Sequence, residues 1–400
     1  MAQQANLPLS NIRVIEFSHM VMGPSAGLVL ADMGADVVKI EPLGGDNTRR
    51  LRGSGAGYFT MYNRNKRSIC VDLKSAQGNA LAKRLVNGAD VLIENFRPGA
   101  MDKLGYGYAN LAIDNPALIY CSARGFLSGP YEHRTALDEV SQMMGGLAYM
   151  TGLPGRPMRA GASVIDVMGG MFAVIGILAA LEMRHQTGRG QHIASSLFES
   201  TAFLMGQHMA QQAVTGEPAQ PMSIRTSAWA IYDIFNCKED EQVFVAVVSD
   251  TQWRQFCGEF GLKDFANDTS LDSNRGRVEQ RDRTIPAVRE LFSTFTKSEL
   301  MQKLETCGLP HAGIGRPQDL FDDPHLLASG GLIDVTVPGG DATRLPALPL
   351  QMDGHRFGIV RDVPQQGEHV VEVLEEAGFS SDEIEELIGG GIIAPVTPET

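Results

Sequence analysis

Residues 13–40, RVIEFSHMVMGPSAGLVLADMGADVVKI, decide the fold. The ends of this stretch, RVIEF at 13–17 and DVVKI at 36–40, are short apolar runs rich in β-branched residues, and each reads as a strand. PSAGLVLADM at 24–33 reads as the helix between them. The alternation continues outward, with strands at 68–73 (SICVDL), 90–94 (DVLIE) and 118–122 (LIYCS) and a helix at 74–86. Strands of four to six residues separated by helices of about ten imply an α/β fold, a mostly parallel sheet with helices on both faces.

Beyond residue 200 the pattern changes. Residues 207–222 are polar, carry Pro218 and Pro221, and read as a linker. Strands are expected at 228–235 and 243–248, and helices at 253–260, 277–293 and 297–306, which make a smaller α+β domain. A strand at 332–337 and helices at 367–377 and 381–387 close the chain. The predicted organisation is a large domain over 1–205, a linker over 206–224, a small domain over 225–325 and a C-terminal segment over 326–400. The longest apolar run, VMGGMFAVIGILAAL at 167–181, is shorter than the roughly 20 residues of a membrane span, and is expected to be a helix buried on all sides.

Composition narrows the function. The 400 residues are 43% hydrophobic and 20% charged, a folded rather than a disordered mix. With 34 basic and 47 acidic side chains the net charge is −13, which argues against nucleic acid or an anionic membrane as partner. Five cysteines, Cys70, Cys121, Cys237, Cys257 and Cys307, include no CxxC pair. A disulfide framework or a zinc site is therefore not expected, and a reducing cytoplasm is. The N-terminal residues show no basic region followed by an apolar one, so no secretory signal is predicted. The nine histidines are scattered, and no metal is expected. The glycine cluster Gly53-Ser54-Gly55-Ala56-Gly57 places Tyr58 where a dinucleotide fingerprint needs its third glycine. Phosphate-loop, zincin and serine-hydrolase motifs are absent as well.

Three segments can carry chemistry. Asp166 stands directly before the apolar helix, as its expected N-cap; helix N–H donors there would favour an ionised carboxylate, and nearby Gly161, Gly169 and Gly170 leave room for a ligand. Such a carboxylate is a candidate nucleophile. A basic segment, Arg64, Lys66 and Arg67 with Arg49, Arg50 and Arg52 upstream, reverses the local charge and suggests a polyanionic ligand such as a nucleotide. The segment after the fourth strand offers the paired donor and acceptor of Asn95, the ring of Phe96 and the charges of Arg97 and Lys103, where open α/β sheets bind ligands.

Together these segments resemble the class III CoA-transferases, the family of formyl-CoA transferase and carnitine CoA-transferase. The likeness is carried by LADMGADVVKIEP (30–42), YFTMYNRNKRSICVDLK (58–74), ADVLIENFRPGAMDKLG (89–105), IGILAALEMRHQTGRGQ (175–191) and GEHVVEVLEEAGFSSDEIEEL (367–387). It implies a Rossmann-like large domain, a small α+β domain and a ring-shaped subunit interlocked with a second copy in a homodimer. It also implies coenzyme A as cosubstrate, with no permanently bound cofactor, and an acyl-CoA and a small carboxylic acid as ligands. Asp166 matches the nucleophile. Val21, Met22, Val71, Asp72, Leu73, Lys74, Asn95, Phe96, Arg97, Lys103, Thr135, Ala136, Leu137 and Asp138 match the CoA-contacting positions, and Tyr58 an active-site tyrosine.

Departures from the family pattern refine this. Pro42 stands where an arginine often follows, Thr135 where formyl-CoA transferase has a lysine, and the glycine-rich loop of that enzyme is shortened here to 223–229, so formyl-CoA and oxalate are not the expected substrates. The α-methylacyl-CoA racemases of the same fold are the alternative, but they need a histidine where this chain has Leu137, which carries no proton. His133 nearby is read as an exposed loop residue. Arg225, in the shortened segment, is a candidate partner for a second carboxylate, which would favour a dicarboxylate acceptor with succinyl-CoA as donor.

Overall fold

The computed structural model describes residues 7–225, 227–340 and 342–396. The chain forms two compact units, Met1–Ser223 together with Pro324–Thr400, and Ile224–Asp323. The first is built on six strands: β1 (Arg13–Phe17), β2 (Asp36–Glu41), β3 (Arg67–Cys70), β4 (Val91–Glu94), β5 (Ile119–Arg124) and β6 (His192–Ser196). All are parallel, in the order β3-β2-β1-β4-β5-β6. This is a doubly wound sheet whose order reverses between β1 and β4, and the crevice at the carboxyl ends of those two strands is where such sheets take ligands.

Both faces of the sheet are covered, so its central strands are apolar throughout rather than alternating. Ile15, Phe17, Val38 and Leu92 point into one core, with Leu81, Leu85 and Val373. Val14, Val37, Val91 and Ile93 point into the other, with Leu30, Ala173 and Ile177. Strand β6 escaped the sequence reading. Its residues, HIASS, lack an apolar run because the strand has a neighbour on one side only and three of its five residues are partly or fully exposed.

The helix Val164–Thr187 holds the candidate nucleophile and is longer than its apolar run. Gly169 and Gly170 let it approach the helix Met22–Asp32. A Cβ at Gly170 would fall 2.1 Å from Ser25 Oγ and 2.8 Å from the Met22 carbonyl, and one at Gly169 would meet the Met22 side chain at 2.7 Å. The expectation of burial on all sides needs correction: Ile175 and Met183 are 59% and 51% exposed, because only the face bearing Ala173, Val174, Ile177 and Leu181 meets the core. The expected linker is also partly helical. The helix Leu197–Thr215 carries the chain through the first half of it, its exposed polar residues Gln207, Gln211 and Gln212 hiding the helix in the sequence.

Four cations of the basic segment, Arg49, Arg64, Lys66 and Arg67, are not available to a polyanion, whereas Arg50 and Arg52 are exposed. Arg64 pairs with Asp32 (Nη2 to Oδ2, 2.7 Å), Lys66 with Glu16 (2.8 Å), Arg67 with Asp36 and Glu376, and Arg49 with Glu41 (2.6 Å). These cations are buried or nearly so and already neutralised, which is the only way a folded core tolerates them. The same segment receives the chain's return: Asn65 Oδ1 accepts from the Val360 and Arg361 amides, and the Asp72 amide donates to the Ile392 carbonyl.

The second unit has its own three-stranded antiparallel sheet, β7 (Ile231–Asn236), β8 (Gln242–Val247) and β9 (His311–Gly313), over a core of Trp253, Phe256, Phe292 and Leu300. The helix expected over 277–293 is two, Asn274–Glu279 and Arg281–Phe292, which meet at Gln280.

The glycine contact sets an expectation for stability. Gly170→Val should lower the unfolding free energy by about 1–3 kcal/mol, the range for overpacking a tight interface, measured by urea denaturation. Gly206→Ala, at a position with open space beside it, should not.

Candidate active site

Asn95 follows β4 and reaches across the strand-order reversal to the loop after β1. Its Oδ1 accepts from the His19 amide (3.0 Å) and its Nδ2 donates to the His19 carbonyl (2.7 Å). The amide is thereby engaged by the backbone through both its oxygen and its nitrogen. The pinned loop places Met20 at φ +65°, a left-handed conformation that a non-glycine residue adopts only at a cost. The Met20 amide donates to Thr48 Oγ1 (3.1 Å). The loop then opens directly into the helix Met22–Asp32.

Two cavities flank this loop. One, of about 240 Å³, is lined by His19, Met20, Met22, Tyr58, Asn95, Arg124, Ala136, Leu137, Asp138, Glu139, Ser163 and Asp166. The other, of about 260 Å³, is lined by His19, Met20, Ile40, Pro42, Thr48, Leu51 and Phe96, and the Phe96 ring lies 5.6 Å from that of His19. Burial depresses the His19 pKa, which keeps the imidazole neutral.

Asp166 is not the cap of its helix. The cap is supplied from elsewhere in the sequence: Asp138 Oδ2 accepts from the Ile165 amide (2.8 Å) and the Asp166 amide (3.1 Å). Asp138 is itself held by Gln142, whose Nε2 donates to Asp138 Oδ1 and whose Oε1 accepts from the Ala160 amide (2.8 Å). The side chain of Asp166, in the first helical turn, accepts no hydrogen bond among the described residues and lines the cavity. Burial, then the negative charges of Asp138 and Glu139, push its pKa up to about 7, against a smaller opposing effect of Arg159. The expectation of a fully ionised carboxylate thus fails. The donors that would have stabilised the charge are occupied by Asp138, and burial with two neighbouring anions outweighs the opposing pull of Arg159.

Of the residues singled out from sequence, the first cavity brings together Met22, Tyr58, Asn95, Ala136, Leu137, Asp138 and Asp166, and the second holds Phe96. Tyr58 Oη lies 3.3 Å from Ser163 Oγ. Val21 is fully buried behind the loop. Val71, Asp72, Leu73 and Lys74 lie past the end of β3, with the Lys74 amide donating to Asp72 Oδ1 (3.0 Å). Arg97, Lys103 and Thr135 are exposed outside the two cavities. Arg225 belongs to the second unit, its guanidinium 6.0 Å from the Tyr232 ring centroid. Sequence reasoning missed His19, Arg124, Glu139, Gln142 and Arg159. Arg159 stood in plain view, seven residues before Asp166 in RPMRAGASVID, but nothing local marked it as paired to Glu139 and Asp138.

The chain resembles known proteins along most of its length. The sequence profile of CoA-transferase family III matches residues 9–370. The chain is 36% identical over 386 residues to the succinate–glutarate CoA-transferase of Agrobacterium fabrum, covering 92% of this chain and 95% of that protein. It is 31% identical to the formyl-CoA:oxalate CoA-transferase of Streptomyces avermitilis, covering 96% and 99%. A solved CAIB/BAIF family protein from Brucella suis superposes with a TM-score of 0.81 at 32% identity, covering 93% of this chain and all of that one. The chain belongs to CoA-transferase family III, and it is a CoA-transferase.

Two expectations follow from the charge around Asp166. A nucleophilic Asp166 would react only when ionised, and kcat/KM with an acyl-CoA should then rise with pH to a limb near 7; Asp138→Asn keeps an oxygen for the cap, removes a charge, and should move that limb to lower pH. The folded-state pKa lies above the unfolded one, so the proton is held more tightly in the folded protein and stability from this group is lost as pH rises from about 4 to 7. Asp166→Asn should therefore be more stable than wild type by an amount that widens over that window to the order of 4 kcal/mol and is flat above it, as read by thermal unfolding at a series of pH values.

Proposed function

We propose that this member of CoA-transferase family III moves coenzyme A between carboxylic acids by covalent catalysis at Asp166. The observation that carries the reading is the placement of Asp166: a carboxylate with no hydrogen-bond partner among the described residues, lining a cavity at the carboxyl edge of a parallel sheet, on the first turn of a rigid helix.

In the cycle, an Asp166 oxygen attacks the thioester carbonyl of the donor. The C–S bond breaks, giving an aspartyl–acyl anhydride and the CoA thiolate. The thiolate attacks the Asp166 carbonyl carbon, releasing the donor acid as carboxylate and leaving an aspartyl–CoA thioester. The acceptor carboxylate attacks that thioester, forming a second anhydride and the thiolate again. The thiolate then takes the acceptor acyl group, and Asp166 returns as carboxylate. Each step exchanges one activated acyl bond for another, with no net proton, so neither ATP nor a metal enters the balance.

CoA would lie along the carboxyl edge. The exposed cations Lys74, Arg97 and Lys103 are suited to its phosphates, Phe96 and the segment Asp72-Leu73 to its adenosine, and Met22 and Thr135 to Asp138 to the pantetheine arm leading to Asp166, whereas Val21 and Val71 are buried and offer no contact surface. The side chain of Leu137, 57% exposed at the cavity rim, supports transfer over racemisation, because no proton carrier stands there. The assembly we propose is an interlocked homodimer of ring-shaped subunits. Supporting it, Ile175, Phe203, Met209 and Val214 lie 59–86% exposed on two adjacent helices, an apolar surface that a partner copy would cover.

Trapping tests the chemistry. Incubation with succinyl-CoA and hydroxylamine should mark residue 166 by peptide mass spectrometry, and Asp166→Ala should abolish both the mark and transfer. An enzyme that turns over with residue 166 unmodified would refute the covalent reading.

A further inference from the structure

A third cavity, of about 380 Å³, adjoins the one that holds Asp166 and shares Tyr58 and Ser163 with it. Its lining also includes Ser54, Tyr62, Gly161 and Arg159, so it presents one cation and four hydroxyl groups and no acidic side chain. Those groups have nothing in common with a thiol carrier or an alkyl chain. They match a carboxylate, which accepts from both a guanidinium and phenolic hydroxyls.

We propose that Arg159, with Tyr58, Tyr62 and Ser163, seats the far carboxylate of a short dicarboxylic acid whose near carboxylate reacts at Asp166. The inference rests on the transfer reading above and names its substrate class; donor acid and acceptor acid use the one subsite in turn.

The geometry of Arg159 fits a cation that holds and releases. Nε donates to the Ala160 carbonyl (3.0 Å) and Nη1 pairs with Glu139. Nη2 stands 3.7 Å from Asp138 Oδ1, within ion-pair range and beyond a hydrogen bond. The Nη2 edge is thus electrostatically held and still open to an incoming oxygen. Burial and the neighbouring charge of Asp166 raise the pKa of Tyr62, which keeps its hydroxyl a donor.

Charge also sets the order of events. With Asp166 ionised, three carboxylates (Asp138, Glu139 and Asp166) surround one guanidinium, and a dianion is repelled. Once Asp166 carries CoA as a thioester, its charge is gone. The subsite then accepts the dicarboxylate at the stage when its free end must attack. A monocarboxylic acid would leave Arg159 and the tyrosines without the partner for which they are arranged, and a site built around polar contacts discriminates strongly against a ligand that lacks them. Arg159 adjoins Asp166 within the first unit.

The experiment compares succinate and glutarate with butyrate and valerate as acceptors, using succinyl-CoA and butyryl-CoA as donors, for wild type, Arg159→Met, Arg159→Lys and Tyr62→Phe. Wild type should favour the diacids by about tenfold or more in kcat/KM. Arg159→Met should lose about fiftyfold or more on diacids and clearly less on monoacids, which feel only its effect on the charge of Asp166, Arg159→Lys should fall between, and Tyr62→Phe should likewise lose more on diacids than on monoacids. Equal losses on both acid classes, or a wild type indifferent to the second carboxylate, would overturn the proposal. Calorimetry gives a readout free of turnover. Asp166→Ala mimics the uncharged acylated state and should bind glutarate at least about tenfold more tightly than butyrate, a preference that Arg159→Met or Tyr62→Phe in the same background removes; no preference sinks the subsite. An unmarked residue 166 in a turning-over enzyme instead defeats the covalent reading and leaves this binding comparison standing.

Discussion

Everything at the site depends on which oxygen satisfies the first turn of the helix Val164–Thr187. A helix N-terminus exposes unpaired N–H groups, and an acidic residue in that turn would ordinarily fold back and take them. Here Asp138, twenty-eight residues earlier in the chain, takes the Ile165 and Asp166 amides. Gln142 fixes the capping carboxylate and ties it to the Ala160 amide. The consequence is that Asp166 keeps its own backbone in the helix and has its side chain released toward the cavity. One carboxylate performs the structural task and leaves the other without a capping role, and the charge of the first raises the pKa of the second.

A second constraint lies beneath the loop after β1. Glu16 on β1, Lys39 on β2 and Lys66 just before β3 form a buried ionic layer: Lys66 lies 2.8 Å and Lys39 3.3 Å from the Glu16 carboxylate, and Ser18 Oγ donates to it at 2.8 Å. Gly27 makes room for it, since a Cβ there would fall 1.8 Å from Glu16 Oε2. Burial lowers the Lys66 pKa to about 8, with the pull of Glu16 opposing it. Such pairs add little net stability over an apolar core, but breaking one strands a charge at a cost of about 3–5 kcal/mol. The layer therefore acts as a register pin. It ties β1 to β2 and to the residue that enters β3, beneath the loop whose His19 and Met20 separate the two cavities.

The sequence made the scaffold legible because the scaffold is local. RVIEF and DVVKI are buried on both faces of the sheet and carry the plain apolar signature of central parallel strands, and five of the six strands of the large sheet could be placed from such runs. β6 was silent because an edge strand with exposed residues needs no such run. The charged residues misled for a related reason. Arg64, Lys66 and Arg67 look like a surface patch when read along the chain, and only tertiary partners at Asp32, Glu16 and Asp36 reveal them as interior. Asp166 was found by its position before a glycine-rich apolar helix. Its ionisation was misjudged because its cap, Asp138, lies on another element, and Arg159 went unnoticed because its meaning lies wholly in what it touches.

The raised pKa of Asp166 has a consequence for the energetics of exchange. A carboxylate held in water resists acylation, because the anion is well solvated and its anhydride or thioester is not. At Asp166 the anion is poorly solvated, lacks hydrogen-bond partners among the described residues and faces two like charges. In the proposed cycle, acylation would abolish the charge and with it that penalty, so the free carboxylate would stand destabilised relative to its acylated forms. The same features that make the resting carboxylate expensive to ionise therefore bring the covalent intermediates of the proposed cycle closer in energy to the thioesters on either side. A transferase that must run between acids of similar strength needs that levelling more than it needs a stronger nucleophile, and the placement of Asp138 and Glu139 beside Asp166 supplies it.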